Sequence, residues 1–174
     1  NIMDKRKEIS SSALLKLGLL RQDDFGNYYE VFQDRVSIPI KDEKGNIVSF
    51  AGRTTGDEKP KYLHTPETDF FHKKELLYNF DNAKVLSYNN ELILVEGYMD
   101  VIALFSYGIP ECVATLGTAL TQDQARLIKR YTNHVYISYD GDGAGQKATL
   151  RALGILTQEG IEPRVVVIPD WQDP

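Results

Sequence analysis

The sequence predicts an α/β fold, with a four-stranded parallel sheet flanked by helices in its second half, preceded by part of a mixed α+β half. Three observations predict it. Short β-branched runs recur at 92–97, 112–117, 134–140 and 163–170, segments with helical spacing separate them, and each run ends on a polar residue or glycine: Glu96, Gly117, Asp140 and Asp170. Strands linked through helices pair in parallel. Ligands of such open sheets bind beyond the carboxyl ends of the strands, so Glu96 and Asp140 are expected on one rim.

The elements follow in order. "SSALLKLGLL" (11–20) reads as a short helix with serine caps. "NYYEVFQDRVSIPI" (27–40) and "NIVSFAGRTT" (46–55) read as strands, and the polar turn "KDEKG" (41–45) is short enough to force antiparallel pairing. Residues 56–80, rich in turn residues and aromatics, read as an ordered loop that leads into a helix near Asp81–Leu86. After the strand "LILVEG", the run "MDVIALFSYG" places Val101, Ile102 and Phe105 at helical spacing, and Gly108 stops the helix. Thr121 and Gln124 form a capping-box pattern at the head of "TQDQARLIKRY". "GAGQKATLRALGILTQEG" is a long helix closed by Gly160, and "PRVVVIPD" is the last strand. The division is expected at 1–88 and 89–174.

Composition excludes several classes. The 174 residues are 42% hydrophobic and 26% charged, an ordinary globular balance. No run approaches the roughly 18 apolar residues of a membrane span, and "NIMDKRKEIS" is neither a signal nor a transit peptide, so a cytoplasmic chain without membrane contact is expected. The single cysteine, Cys112, lies in an apolar run; it allows no internal disulfide and reads as a buried thiol. Residues 1–90 hold 14 Lys+Arg against 14 Asp+Glu, while residues 91–174 hold 6 against 11, so the whole deficit of five lies in the second half. The ends look cut, and a fragment of a longer protein is expected.

That acidic deficit coincides with the most informative stretch, "YISYDGDGAG" (136–145). Asp140 and Asp142 repel each other unless a positive charge sits between them. Glu96 joins them from another strand end, with Asp100 one helical turn beyond it. Four carboxylates make an oxygen-rich set suited to Mg²⁺, which keeps several waters and needs only a few carboxylates plus substrate phosphates. Gly141, Gly143 and Gly145 let the backbone turn into a helix N-terminus, where phosphate oxygens are expected to meet amide N–H groups.

Near misses are ruled out by position. A calcium-binding EF-hand loop from Asp140 would put Ala144 and Arg151 where oxygen ligands are required. "GDGAGQ" lacks the last glycine of the dinucleotide pattern, and Lys147 lacks the spacing of a phosphate-binding loop. The three histidines have no zinc spacing with Cys112.

"LVEGYMDVIAL", "VATLGTALTQDQARLI" and "ISYDGDGAGQKA" together resemble the Toprim domain of bacterial DnaG-type DNA primases, and "RVSIPIKDEKGNIVSFAGR" with "PKYLHTPETDFFHKKELLYNF" is similar to the segment preceding Toprim in that family. The resemblance covers most of the chain. It implies an RNA polymerase that copies single-stranded DNA into short RNA primers during replication, by Mg²⁺-dependent nucleotidyl transfer from ribonucleoside triphosphates, with Mn²⁺ as a substitute. Glu96, Asp140 and Asp142 are the implied catalytic residues; with Asp100 and Asp173 they are the implied metal ligands. Asp173 matches the first acid of a later D-P-D segment. Arg35, Arg53 and Lys61 match basic residues that hold template and nucleotide. Lys73 and Lys74, beside Phe70 and Phe71, either track a DNA backbone or are exposed lysines next to packed rings. The family's zinc-binding module and its helicase-binding module have no counterpart in this chain.

Three rivals stay open at this level. A Toprim nuclease or topoisomerase piece would use the same carboxylates to cleave phosphodiesters. A phosphatase would use Asp140 as its nucleophile. A fragment inactive in isolation would only bind nucleotides or nucleic acid.

Overall fold

A computed structural model describes residues 9–168. The chain forms two compact units, one made of residues up to Ile40 together with Ile47–Phe71, the other of Lys41–Asn46 together with residues from His72 onward.

The first unit opens with α1 (Ser11–Lys16), whose N-cap Ser10 accepts a hydrogen bond from the Ala13 N–H. Strands β1 (Leu20–Gln22) and β2 (Tyr28–Glu30) pair antiparallel. β3 (Arg35–Lys41), β4 (Ile47–Thr54) and β5 (Tyr62–His64) make a three-stranded sheet in that order. Two turns, one in each unit, share one device. In "DDFGN" Asp23 accepts from the Phe25 and Asn27 N–H groups, and in "DEKGN" Asp42 accepts from those of Lys44 and Asn46. In both, a positive-φ glycine precedes the asparagine. These bonds favour the ionised form, with the asparagine side chain the largest contributor, and hold both carboxyls below their usual range.

The expected single strand over 27–40 is broken. Residues 31–34 form a turn, with Asp34 at φ 50, and β3 starts only at Arg35. The stretch 56–80 also holds a strand where only loop was expected: β5 pairs antiparallel with β4 through Ala51–His64, Gly52–Leu63 and Arg53–Tyr62.

The second unit carries α2 (Phe80–Leu86), β6 (Glu91–Val95), α3 (Tyr98–Ser106), β7 (Cys112–Ala114), α4 (Gln122–Lys129), β8 (His134–Ile137), α5 (Gly143–Gln158) and β9 (Glu162–Val165). Its four strands are parallel in the order β7-β6-β8-β9, as the alternation of strand and helix predicts. Parity along β6 explains the layering, because successive side chains of a strand point to opposite faces. Leu92 and Leu94 join Val113, Val135 and Ile137 in a core shared with α2, α4 and α5. Ile93 and Val95 turn the other way, to Cys112, Ala114 and the α3 residues Val101 and Leu104. Burying each such aliphatic side chain contributes roughly 1.5–3 kcal/mol.

Of the three α3 residues singled out by spacing, only Val101 is buried; Ile102 and Phe105 are 40% and 43% exposed. The inward stripe runs instead through Tyr98, Val101 and Leu104. Cys112 is fully buried, and loss of solvation pushes its thiol up to about 11. Among the described residues no helix is long and apolar enough to cross a membrane.

The capping box forms as expected: Thr121 Oγ1 accepts from the Gln124 N–H, and Gln124 Oε1 accepts from the Thr121 N–H. Gln124 does more than cap. Fully buried, it also donates to the carbonyls of Lys73 and Leu76, fastening that loop to α4. Gln124→Ala leaves one amide and two carbonyls short of a partner, and a loss of about 2 kcal/mol in urea unfolding is expected.

Candidate active site

Adjacent strands β6 and β8 place the central carboxylates. Leu94 pairs with Ile137, and the Ser138 N–H continues the ladder to the Leu94 carbonyl. Each chain then leaves the sheet on the same rim, and the Asp140 N–H donates to Glu96 Oε1 at 3.3 Å. Glu96 and Asp140 thus meet as expected from strands 44 residues apart in sequence.

The other two carboxylates are tied to helix starts. Gly97, in extended backbone, precedes α3, and its N–H donates to Asp100 Oδ2 at 2.8 Å. Asp142 is the N-cap of α5, and its Oδ1 accepts from the Ala144 and Gly145 N–H groups at 2.9 and 2.7 Å. This narrows one expectation. Two first-turn amides of α5, those of Ala144 and Gly145, are taken by Asp142 itself, because its side chain reaches them without any ligand.

Gly145 has a role beyond flexibility. A Cβ there would lie 2.2 Å from the Asp140 carbonyl oxygen and 2.8 Å from Glu96 Oε1, so only glycine lets α5 pass this close to the rim.

The electrostatics match a cation site. Burial pushes the Glu96 carboxyl above its usual range, and the negative charges of Asp140, Asp142 and Asp100 push it further; the hydrogen bond from the Asp140 N–H opposes them. Burial also raises the Tyr139 hydroxyl, with Glu96 adding to it. Among the described residues no group of three or more His, Cys, Asp or Glu side chains is placed to hold a metal ion. The donors are nonetheless all oxygen and carry excess negative charge. That fits a hydrated hard cation held by one or two carboxylates with waters and phosphates, rather than a structural cage. Asp173, and Asp170 at the expected end of the fourth strand, lie outside the described residues.

The basic residues divide between the units. In the first, Arg35 Nη1 donates to the carbonyls of Gly52, Pro60 and Lys61, so it braces the loop before β5. Half-buried Arg53 and exposed Lys61 line a groove of about 540 Å³ with Lys59, Asp57 and Glu58. Arg53 Nε is buried with no hydrogen-bond partner among the described residues. In the second unit, the Lys73 and Lys74 carbonyls are held by Gln124 and Thr121, leaving Lys74 exposed and Lys73 half-buried. Phe71 is fully buried and Phe70 is 79% exposed, so the two rings do not pack as a pair.

Sequence reasoning missed a cleft of about 420 Å³ next to Glu96, bounded by Thr115–Leu120 and α5, with Lys147 and Arg151 on its wall. Two cations four residues apart, after a strand-end aspartate pair, were the available signal.

The fold agrees with solved proteins. The family described as DNA primase catalytic core, N-terminal domain, matches residues 1–84, and a Toprim-like family matches residues 93–174. A DNA primase of Clostridium acetobutylicum is 46% identical over 170 residues, covering 98% of this chain. The chain spans 28% of that relative's length. The crystal structure of the Aquifex aeolicus primase zinc-binding and RNA polymerase domains superposes with a TM-score of 0.93 at 41% identity, covering 99% of this chain and 43% of that one. A DnaG primase catalytic domain bound to single-stranded DNA superposes at 0.88 with 41% identity, covering 100% of this chain and 58% of that one. Two successive family matches, at these identities and with one shared fold, account for nearly every residue. The chain belongs to the bacterial DnaG-type DNA primase family.

Proposed function

We infer that this chain is the part of a DNA primase that performs template-directed nucleotidyl transfer, joining ribonucleoside triphosphates into short RNA primers on single-stranded DNA during replication. The observation that carries the reading is the approach of Glu96 to Asp140 on the rim shared by β6 and β8, with Asp100 and Asp142 raising the local negative charge. A bound Mg²⁺, or Mn²⁺ in its place, would supply an activated primer 3′-hydroxyl and charge neutralisation at the leaving pyrophosphate. Glu96, Asp100, Asp140 and Asp142, with Asp173, are the residues that would hold it. Glu96 carries a raised proton affinity at that rim, which suits it to take the hydroxyl proton as well as to bind a cation.

Template and triphosphate fall to the basic side chains. Arg53 presents a buried Nε with no hydrogen-bond partner among the described residues, and Lys61 lies on the same groove. Arg35 positions that groove's loop through backbone carbonyls. Exposed Lys74, with Lys73, adds charge for the DNA backbone. The similar catalytic domain solved with single-stranded DNA supports a nucleic-acid partner. Residues 1–88 are assigned to guiding template and nucleotide, and residues 89–174 to catalysis. Contact with a replicative helicase belongs to a separate module of the longer cytoplasmic protein, as does zinc.

The test is direct. The longer protein carrying this chain, given single-stranded template, ribonucleoside triphosphates and Mg²⁺, is expected to release short RNA, and chelation is expected to stop it. Cleaved DNA without RNA would favour the nuclease or topoisomerase reading. Cation-dependent nucleotide binding with no product would leave a binding module.

A further inference from the structure

The cleft beside Glu96 lies between the loop after β7, which contributes Thr115 and Thr118, and α5, which contributes Lys147 and Arg151. Facing the cavity from α5 are Ala144, Ala148 and Ala152, whose small side chains leave it open. The two cations differ from the other basic residues on the helices of this unit and from Arg130, the C-cap of α4. Lys84 donates to the Glu43 carbonyl, Arg126 pairs with Asp123 and Glu159, Lys129 donates to Asn133 and Gly160, and Arg130 pairs with Glu43. Lys147 and Arg151 have no ion-pair or hydrogen-bond partner among the described residues. Like charges four residues apart on a helix repel, so the pair is unfavourable until an anion bridges it. Asp142 already occupies the Ala144 and Gly145 amides of α5, so two of the helix-end donors are spent and the two side chains are the cations left to meet such an anion.

We propose that this cleft is a diphosphate subsite, in which Lys147 and Arg151 receive the pyrophosphate displaced beside Glu96. In nucleotidyl transfer the primer 3′-oxygen bonds to the α-phosphorus and the α–β anhydride bond breaks. The bridging oxygen leaves with its electron pair on pyrophosphate, and the hydroxyl proton goes to a base or to water. Glu96 lines the same cleft as the two cations, so an anion held there shares it with the reacting rim. The identity of the anion rests on the nucleotidyl-transfer reading; anion capture by the two cations does not. The chemistry shared by a triphosphate tail and a free diphosphate is a chain of phosphate oxygens, and arginine binds these as a bidentate fork.

The experiment is a calorimetric titration of this chain with inorganic pyrophosphate, in chelator and without template, with a non-hydrolysable ribonucleoside triphosphate in a parallel arm. The double variant Lys147→Ala/Arg151→Ala is expected to bind pyrophosphate at least about tenfold more weakly. Both side chains are exposed, so the unfolding midpoint should stay at the wild-type value. Lys44→Ala, an exposed cation outside the cleft, is expected to leave binding unchanged. Glu96→Gln should bind metal-free pyrophosphate at least as tightly as wild type, because it removes a repelling charge. Unchanged pyrophosphate affinity in the double variant, an equal loss in Lys44→Ala, or a loss confined to the triphosphate arm overturns the subsite. Absence of RNA synthesis by the longer protein with pyrophosphate capture intact would instead overturn the polymerase reading alone.

Discussion

Gly145→Ala is expected to cost at least about 3 kcal/mol of stability and to disable the rim in the same stroke. A methyl group at this position falls 2.2 Å from the Asp140 carbonyl oxygen and 2.8 Å from Glu96 Oε1, both well inside contact distance. One response is for α5 to tilt away. That would strain the two hydrogen bonds by which Asp142 caps the helix and loosen Ala152 and Leu156 from the core. The other is for the turn at Asp140 to shift, which separates Asp140 from Glu96. Neither route spares both the fold and the site. Gly154, on the same helix, has nothing within 4 Å of its Cβ direction and is exposed. Gly154→Ala should therefore stabilise by up to about 1 kcal/mol through helix propensity alone. Urea unfolding of the two variants checks the argument, and equal midpoints would dispose of it.

Features that depend on a few neighbouring residues were legible in the sequence. The Thr121–Gln124 capping box, the closure of α5 near Gly160 and the parallel sheet all follow from local spacing. What depends on distant partners was not. β5 is three residues long and exists because Ala51, Gly52 and Arg53 of β4 pair with it, and no propensity within "YLH" announces that. The break at 31–34 follows from the left-handed Asp34, which a strand-like run of valine, phenylalanine and tyrosine concealed.

The site divides along the same line. Strand-end position was enough to place Glu96 beside Asp140. The second use of the acids was overlooked, although the spacing of Gly97 and Asp100 and the position of Asp142 before a helix both carry capping patterns. Asp100 and Asp142 thereby orient the starts of α3 and α5 while placing charge near Glu96. Gly145 was read as freedom of the chain, whereas the fold uses its lack of a side chain. That requirement arises only when α5 is laid against β6 and β8.

Glu96→Gln is expected to slow nucleotidyl transfer by the longer protein about 100-fold or more, and, without divalent cations at neutral pH, to make this chain more stable. The two effects have one cause. Burial, then Asp140, Asp142 and Asp100, raise the Glu96 carboxyl above the value of 4.5 it has when unperturbed, so the folded chain binds that proton more tightly than the unfolded chain does. The contribution of Glu96 to stability is therefore greatest below the unfolded value and falls as pH rises through the raised folded value. Glutamine has no proton to lose and escapes that fall. Partial exposure screens the repulsion, so the gain is at most about 1 kcal/mol. A cation binding the folded carboxylates reverses the order, since it stabilises the wild type by mass action and has less to hold in the variant. Thermal unfolding from acid to neutral pH, in chelator and then in Mg²⁺, reads both signs. The variant should melt higher in chelator at neutral pH, converge with wild type in acid, and gain less from Mg²⁺. A variant that melts lower in chelator, or responds to Mg²⁺ as the wild type does, would mean that Glu96 is neither strained by its neighbours nor part of the cation site.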